Sequence, residues 1–225
     1  MKHRILIIIA LFFVLVSCGT LDFSDQPQGI IEYDVTYVTN KSSMPTNLLP
    51  KHVVLKFHAH KSITTIEGFM GMFIFSNISD FKRHTNITLL KVIDKKYYYE
   101  GSKNEYPIFF EDMSKIKIIN TNDKNIIAGL TCKKALITYL NSEKDTFEVY
   151  YTNDIDLKNP NKGTPFEEID GVLLAFNLKL NTVEMRITAN KYLPEPVSTA
   201  EFEVPDNYVE ISRKKMMSVL SKLLE

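Results

Sequence analysis

Two histidines of the chain have a spacing that could begin a metal site. His58 and His60 lie two residues apart in a segment predicted to be a β-strand, so both imidazoles are expected on the same face. Imidazole pairs are common zinc ligands. No third or fourth ligand is identifiable, and both histidines belong to the polar face. The sequence therefore favours solvent-exposed histidines and predicts no metal site.

A second candidate cation site begins at Asp154 and Asp156, whose alternate spacing is typical of the start of a calcium-binding loop. The EF-hand register then requires an oxygen ligand at the fifth position and a glycine at the sixth. Lys158 and Asn159 occupy those positions instead. The sequence therefore favours a solvated loop.

Two acidic groups contain enough carboxylates to suggest acid–base catalysis. Glu167, Glu168 and Asp170 form one group, and Glu111 with Asp112 forms the other. Acid–base catalysis needs carboxylates held across a substrate with separated pKa values, which neighbours in a turn do not provide. No G-x-S-x-G, H-E-x-x-H or phosphate-binding glycine loop is present. We expect no catalytic residue, no cofactor and a non-enzymatic protein, with a hydrolase as the third alternative.

Cys132 is the remaining candidate nucleophile. A reactive thiolate needs a neighbouring base or positive field. Lys133 and Lys134 are adjacent in sequence, but neighbours on a strand alternate between the two faces. The sequence favours a buried, inert thiol.

The amino-terminal segment carries the clearest chemical signal. Lys2 and Arg4 precede an unbroken apolar run over residues 5–16, which is too short to span a bilayer but fits a secretory signal. The tetrapeptide at residues 15–18 (LVSC) resembles the lipobox of bacterial lipoproteins. The resemblance implies cleavage before Cys18 and a diacylglycerol on its sulfur. An uncleaved anchor helix, an ordinary export signal or a Cys18–Cys132 disulfide are the alternatives.

The signal divides the chain into a signal peptide at residues 1–17, a lipidated tether at 18–29 and a single β-rich domain at 30–225. Hydrophobic residues make up 44% and charged residues 24%, which are ordinary globular values that allow a core. The 27 basic and 27 acidic residues balance without a basic block, which argues against nucleic acid as a partner. Gly19 is not the aspartate associated with inner-membrane retention of lipoproteins, so the outer membrane is the expected location.

Alternation of apolar and polar residues predicts a mainly β domain. The pattern is clear at residues 31–37 and 53–66, and turn residues such as Thr121-Asn122-Asp123 separate the later candidates. Short connections and the absence of βαβ alternation indicate a single curved antiparallel sheet. Ser212 begins a segment with helical spacing, which predicts a C-terminal helix at about 212–224 that packs on the sheet. The later strand candidates are residues 85–93, 96–100, 115–120, 126–139, 147–152, 172–180, 183–192 and 199–204.

An apolar segment at residues 68–75 is the candidate ligand-binding region. It contains Phe69, Met70, Met72, Phe73 and Phe75 together with two glycines. Methionine provides adaptable apolar surface, and ligand pockets are mostly apolar. These five residues are candidates for an apolar-ligand cavity. The alternative is an inner strand or turn that fills the core.

Four segments together resemble a known family. They are residues 127–135 (IAGLTCKKA), 149–155 (VYYTNDI), 170–174 (DGVLL) and 202–208 (FEVPDNY). Their order is similar to that of the GLPGLI-like and related lipoproteins of Gram-negative envelopes. The resemblance implies a half-barrel similar to that of the LolA/LolB lipoprotein carriers and implies no catalytic residues.

Two functions follow as hypotheses. The first is a membrane-anchored envelope lipoprotein that binds a lipid or another apolar ligand in the half-barrel. The second is a structural or interaction module with a filled core and an envelope protein partner. The polar face of residues 53–66 would be the contact surface of that module.

Overall fold

The computed structural model describes residues 26–224, apart from residues 104, 114, 141 and 181. The side chains of residues 112, 142–145 and 224 also lie outside the description. The predicted signal peptide, the lipidation site Cys18 and most of the predicted tether fall outside the described residues.

Twelve strands form one curved, open sheet, and a C-terminal helix follows them. The fold class predicted from sequence is therefore confirmed. The strand order is β12-β6-β5-β4-β3-β2-β1-β11-β10-β9-β8-β7. The pairs are antiparallel except that β12 runs parallel to β6. The bounds are β1 Gln28–Asn40, β2 His52–His58, β3 Lys61–Glu67, β4 Phe73–Asp80, β5 Thr85–Val92, β6 Lys95–Glu100, β7 Ile116–Ile127, β8 Leu130–Tyr139, β9 Ser142–Thr152, β10 Val172–Leu180, β11 Val183–Leu193, β12 Val209–Glu210 and α1 Arg213–Leu224.

Antiparallel pairing gives the sheet two opposite rims. The β3–β4, β5–β6, β8–β9 and β10–β11 connections share one rim, which we call the Met70 end. The β2–β3, β4–β5 and β7–β8 connections share the other rim, which we call the His84 end. The longer segments after β6 and β9 also leave from the His84 end.

The concave face of the sheet holds the main core. Side chains of successive strands, such as Phe57 and Leu90, contribute to one buried cluster. A 3-10 helix at Ile108–Met113, the segment between β9 and β10, and α1 close this face. They contribute Met113, Phe166 and Met216, each fully buried. Elements from outside the sheet therefore fill most of the curved interior.

A strap at residues 194–208 covers part of the convex face. Val197 and Phe202 of the strap form a second buried cluster with Ile78 and Leu89 of the sheet. Within the strap, residues 199–202 form a 3-10 helix that Ser198 caps by accepting a hydrogen bond from the Ala200 amide. The strand predicted at residues 199–204 is therefore wrong.

The same strap changes the interpretation of residues 53–66. This segment is not one strand but a hairpin of β2 and β3, joined by a two-residue turn at Ala59 and His60 with Ala59 in the left-handed conformation. Lys56 and Lys61 on its polar face pair with Glu201 and Glu203 of the strap, at 2.8 and 3.1 Å. The surface proposed as a partner contact is thus already occupied in part by the chain itself.

Three further boundaries differ from the sequence prediction. The strand predicted at residues 126–139 is divided by a turn at Ala128 and Gly129 between β7 and β8. Thr121-Asn122-Asp123 does not form a turn, since it lies inside β7 at an irregularity in the pairing with β8. The predicted tether is shorter than expected, because β1 already begins at Gln28. By contrast, β10 has the predicted bounds of residues 172–180, and α1 begins directly after Ser212 as predicted.

Candidate functional site

Two of the five predicted ligand residues line an apolar cavity. Phe73 and Phe75 of β4 face a space of about 40 Å³ at the Met70 end, between the sheet and α1. Leu220 and Leu223 of α1 form part of the wall on the helix side. The remaining lining residues are Tyr37, Leu49, Pro50, Ile66, Leu180, Val183 and Met185.

The other three predicted residues lie elsewhere. Phe69, Met70 and Met72 belong to the β3–β4 connection, and their side chains are largely exposed, with Met70 86% accessible. None of the three lines the apolar cavity, although Phe69 borders an outer groove beside Gly68. The segment thus divides into the half-buried Phe73 and the buried Phe75 on β4, and an exposed apolar connection before them.

Further apolar side chains are exposed at the same rim. The amide of Ile93 donates to the carbonyl oxygen of Met72 at 2.9 Å, so the β5–β6 turn lies against the β3–β4 tip. Ile93 is 64% accessible, and Leu140, which follows β8, is 61% accessible. We call Phe69, Met70, Met72 and Ile93 the apolar tips.

Two of the apolar tips occupy backbone conformations that their side chains disfavour. Met70 has φ +50° and Ile93 has φ +54°, both in the left-handed region. That region is costly for non-glycine residues, above all for β-branched ones such as Ile93. Asparagine or glycine would adopt this backbone conformation at a lower free-energy cost. The conformation of the turns therefore does not explain why apolar side chains occupy these positions.

A larger and mostly polar cleft lies at the His84 end. Its volume is about 400 Å³, which is within the range of about 300–1,000 Å³ typical of small-molecule sites. The β4–β5 connection, the segment after β6 and the segment between β9 and β10 form its walls. The lining residues are Ser79, His84, Thr85, Asn86, Glu105, Tyr106, Pro107, Lys162, Gly163 and Glu167.

The polar cleft continues into the concave face of the sheet. Ser79 also lines a smaller inner chamber of about 90 Å³, together with Ser62, Thr64 and Asn161. These side chains lie on the same face of β3 and β4 as the core residues, because positions two apart on a strand share a face. The rest of the chamber wall is mostly apolar and includes Val53, Leu173 and Phe176, so the interior is apolar toward the Met70 end and mixed toward the His84 end.

Two buried polar atoms lie in the neighbouring row of the same face. Thr64, Asn77 and Thr88 are directly opposite one another on β3, β4 and β5. Asn77 donates to the Ser79 hydroxyl at 2.9 Å, but its carbonyl oxygen has no partner among the described residues, and neither has the Thr88 hydroxyl. Buried polar atoms normally find a partner, so these two distinguish this part of the interior.

Glu105 is held in place at the wall of the cleft. Its carboxylate accepts hydrogen bonds from the Tyr99 hydroxyl and the Ser102 amide, both at 2.8 Å, and pairs with Arg213 at 2.5 Å. Partial burial opposes its ionisation, but the hydrogen bonds from Tyr99 and Ser102 and the charge of Arg213 outweigh burial and lower the pKa of Glu105. Glu105 is therefore a charged, fully engaged wall residue.

The rim of the cleft carries a second ion pair. Lys162 and Glu167 lie 3.2 Å apart on the segment between β9 and β10, and both remain about two-fifths exposed. With Glu105 paired with Arg213, the lining carries no large excess of either charge. Asn161 shapes this segment by donating to the carbonyl oxygens of Ile169 and Gly171, at 2.7 and 2.9 Å.

The histidines and aspartates of the two candidate metal sites do not come together in the structure. The His58 ring contacts the Val197 carbonyl oxygen at 3.0 Å, and His60 faces Asp80 at 3.7 Å. Asp154 accepts a hydrogen bond from the Thr131 amide, and Asp156 pairs with a lysine of its own loop. Among residues 26–224 as described, no three His, Cys, Asp or Glu side chains are grouped to hold a metal ion.

Cys132 is fully buried in the concave core. Burial raises the pKa of its thiol, and the nearby charge of Asp154 raises it further, against a smaller opposing effect of a backbone hydrogen bond. A buried thiol with a raised pKa is a poor nucleophile. Cys18, with which Cys132 would form the alternative disulfide, lies outside the described residues.

No described helix is both long and apolar enough to cross a membrane.

The described residues form one open, mainly antiparallel β-sheet followed by a C-terminal helix, which is the fold class of this protein. No protein-family model matches the chain, and no curated protein matches its sequence. Among solved structures, it is similar to the crystal structure of LprF from Mycobacterium bovis, at 12% sequence identity and a TM-score of 0.30. The alignment covers 80% of this chain and 90% of LprF.

Proposed function

We propose that the chain is a lipid-anchored, non-enzymatic envelope protein that takes up an apolar chain, such as the acyl chain of a lipid, at its Met70 end. The observation that carries the proposal is the coincidence of two features at one rim. The apolar cavity behind Phe73 and Phe75 lies there between the sheet and α1, and the apolar tips are exposed at the same rim.

The cavity must enlarge for this function. Its volume of about 40 Å³ is far below that of ordinary ligand pockets. Leu220 and Leu223 form the helix side of the wall, so an outward movement of the carboxyl end of α1 would join the cavity to the surface. Arg213 holds the opposite end of the helix through Glu105 and Glu111. The helix therefore acts as a cover attached at its amino end.

The tether is long enough to bring the apolar tips to the anchoring bilayer. β1 begins at the His84 end, so a lipidated Cys18 would join the domain at the rim opposite the tips. Ten residues from Cys18 to Gln28 reach roughly 35 Å when extended. A strand of the length of β3 spans roughly 23 Å, so the tether can run along the domain and let the tips touch the membrane.

Uptake of an apolar fluorophore tests the cavity directly. The full chain is purified in detergent, exchanged into lipid nanodiscs, and compared with a Met185→Trp variant that fills the cavity and a Met72→Trp control outside it. We expect the filled variant to lose uptake of the fluorophore and the control to retain it. Equal uptake by both variants, or none by the parent chain, would contradict the assignment.

Lipid extraction gives an independent readout. An organic extract of the purified protein is analysed by mass spectrometry for lipid in stoichiometric amount. A Cys18→Ser variant separates bound lipid from covalent lipid, and it is expected to leave the membrane fraction. Continued membrane retention of that variant would contradict the anchor at Cys18.

The second candidate function is an interaction module, and the filled core favours it. Phe166 is fully buried between Phe110 and Phe176, with ring centroids about 6 Å apart in each pair. Such packing leaves the described interior largely occupied. The exposed partner surface would then be the edge strand β7 rather than β2 and β3, which are interior strands. A clean organic extract together with no fluorophore uptake would favour this function.

A further inference from the structure

The polar cleft at the His84 end has a chemical character that differs from that of the apolar cavity. Its lining offers hydroxyl groups from Ser79 and Thr85, an amide from Asn86 and the imidazole of His84. These groups include hydrogen-bond donors and acceptors. The cleft is therefore built for a ligand that both donates and accepts hydrogen bonds.

The charges of the cleft argue against an ionic ligand. Glu105 pairs with Arg213, which it shares with Glu111, and Lys162 pairs with Glu167 at 3.2 Å. Phosphate and carboxylate recognition typically uses arginine or lysine side chains that are available to the anion. The lysine that lines this cleft is already paired with a carboxylate. A neutral polar ligand suits these surroundings better than an anion.

Buried polar atoms continue the polarity of the cleft wall behind Ser79. Ser79 lines both the cleft and the inner chamber, and it accepts a hydrogen bond from Asn77. The Asn77 carbonyl oxygen and the Thr88 hydroxyl are buried without a partner among the described residues. These atoms lie one row deeper than Ser79 and Asn86 on the same face of the sheet. Neither Asn77 nor Thr88 lines the cleft or the inner chamber, so the ligand-facing wall ends at Ser79 and Asn86.

We propose that the cleft at the His84 end binds a short, uncharged saccharide. A saccharide presents hydroxyl groups that donate and accept, carries no net charge, and has an apolar ring face that can lie against an aromatic side chain. Tyr106 lines the cleft and supplies such a side chain. The cleft volume of about 400 Å³ leaves room for this class of molecule. The proposal does not depend on lipid uptake at the opposite end.

Saturation-transfer NMR on the full chain in zwitterionic detergent tests the cleft. The probes are N-acetylglucosamine and glucose, with inorganic phosphate followed separately by ³¹P line broadening. We expect transfer to the saccharide protons and no phosphate broadening. Phosphate binding without saccharide binding would overturn the proposal, and so would the absence of both signals.

Matched substitutions assign the signal to the cleft. Ser79→Ala and Thr85→Val remove lining hydroxyl groups, whereas Ser76→Ala and Thr65→Val change the same residue types outside the lining. Loss of one hydrogen bond to a ligand should weaken binding about tenfold, so we expect that change in the first pair only. Equal effects in both pairs would place the saccharide elsewhere and overturn the proposal.

A variant that blocks the cleft but keeps its stability distinguishes loss of saccharide binding from misfolding. Gly163 lines the cleft with φ +73°, and a Cβ placed there meets no atom within 4 Å. Asparagine tolerates the left-handed region, so Gly163→Asn should fold and obstruct the cleft. Lost saccharide transfer with an unchanged melting temperature supports the site, and unchanged transfer contradicts it.

Discussion

Arg213, the first residue of α1, lies 2.5 Å from Glu105 on the segment after β6. One ion pair therefore connects the cover of the apolar cavity to the wall of the polar cleft. Arg213 also pairs with Glu111, and its guanidinium lies 6.0 Å from the centre of the Tyr99 ring. The amino end of the helix is thus the better attached end.

The attachment of α1 predicts the effect of an Arg213→Met substitution. Removal of the guanidinium leaves two carboxylates without their cation, so the helix should open more often. We expect faster amide hydrogen exchange over residues 213–224 and greater fluorophore uptake, with a loss of global stability of about 1 kcal/mol, since the pair is only partly buried. Lys214→Met is the neighbouring control. Unchanged exchange would show that apolar packing alone holds the helix.

The pKa of Glu105 predicts how stability depends on pH. Its pKa is lowered in the folded state, so ionised Glu105 contributes stability above its ordinary value, near 4.3 in an unfolded chain. That contribution is lost as the pH falls through the lower folded-state pKa. We expect the melting temperature of the parent chain to fall more steeply below about pH 4.5 than that of Glu105→Gln. Parallel curves for the two proteins would contradict this assignment.

One substitution in the apolar tips should raise the stability of the protein and weaken its contact with membranes. Ile93→Asn places a residue that tolerates positive φ at a strained turn, and it removes an exposed apolar side chain. We expect a stability gain of about 1 kcal/mol and weaker flotation with lipid vesicles in the Cys18→Ser background. Ile126→Asn, equally exposed but near the His84 end of β7, is the control. Equal flotation of both variants would argue against membrane contact by the tips.

Substitution of Gly129 and of Gly171 should cost different amounts of stability. Gly171 has φ +156°, and an added Cβ would lie 2.7 Å from the Thr152 carbonyl oxygen, whereas the Cβ at Gly129 would meet nothing within 4 Å. Gly171→Ala should therefore require movement of the backbone between β9 and β10. Gly129→Ala should cost about 1 kcal/mol, from its φ of +79° alone. Chemical denaturation measures both, and a smaller loss for Gly171→Ala would contradict the contact.

Local signals explain the elements that sequence predicts well. β10 is apolar on both faces and is bounded by Gly171 and a turn, so its ends are marked by the chain itself. Ser212 caps α1 by accepting a hydrogen bond from the Lys215 amide, and Met216 and Leu220 recur on the buried side. Both elements have the bounds that the sequence predicts, to within one residue.

The strand wrongly predicted at residues 199–204 lies where the sheet is buried from both sides. Ile78 and Leu89 of the sheet are buried by the strap, while Phe75 and Leu90 are buried by the concave core. Alternation of apolar and polar residues indicates the inner face only when the other face meets water. Val197, Phe202 and Val204 of the strap pack onto the convex face without pairing with a strand, so their apolar character is not the sign of a strand.

The candidate sites also divide into residues that a local sequence pattern places and residues that only tertiary structure places. Phe73 and Phe75 are apolar in a strand pattern, and their place beside the cavity follows from the register of β4. Met70 has the same composition signal but lies on a turn, where its side chain is exposed. The polar cleft had no sequence signal, since its walls come from segments as distant as His84 and Lys162.

The sequence by itself determined the mainly β class, most strand positions, the C-terminal helix and the motif that predicts a lipid on Cys18, because each depends on residues close together in the chain. Tertiary structure alone decided that the strap covers the convex face and that the interior is apolar near Phe73 and mixed near Ser79. These features depend on the pairing order of twelve strands, which local patterns do not specify.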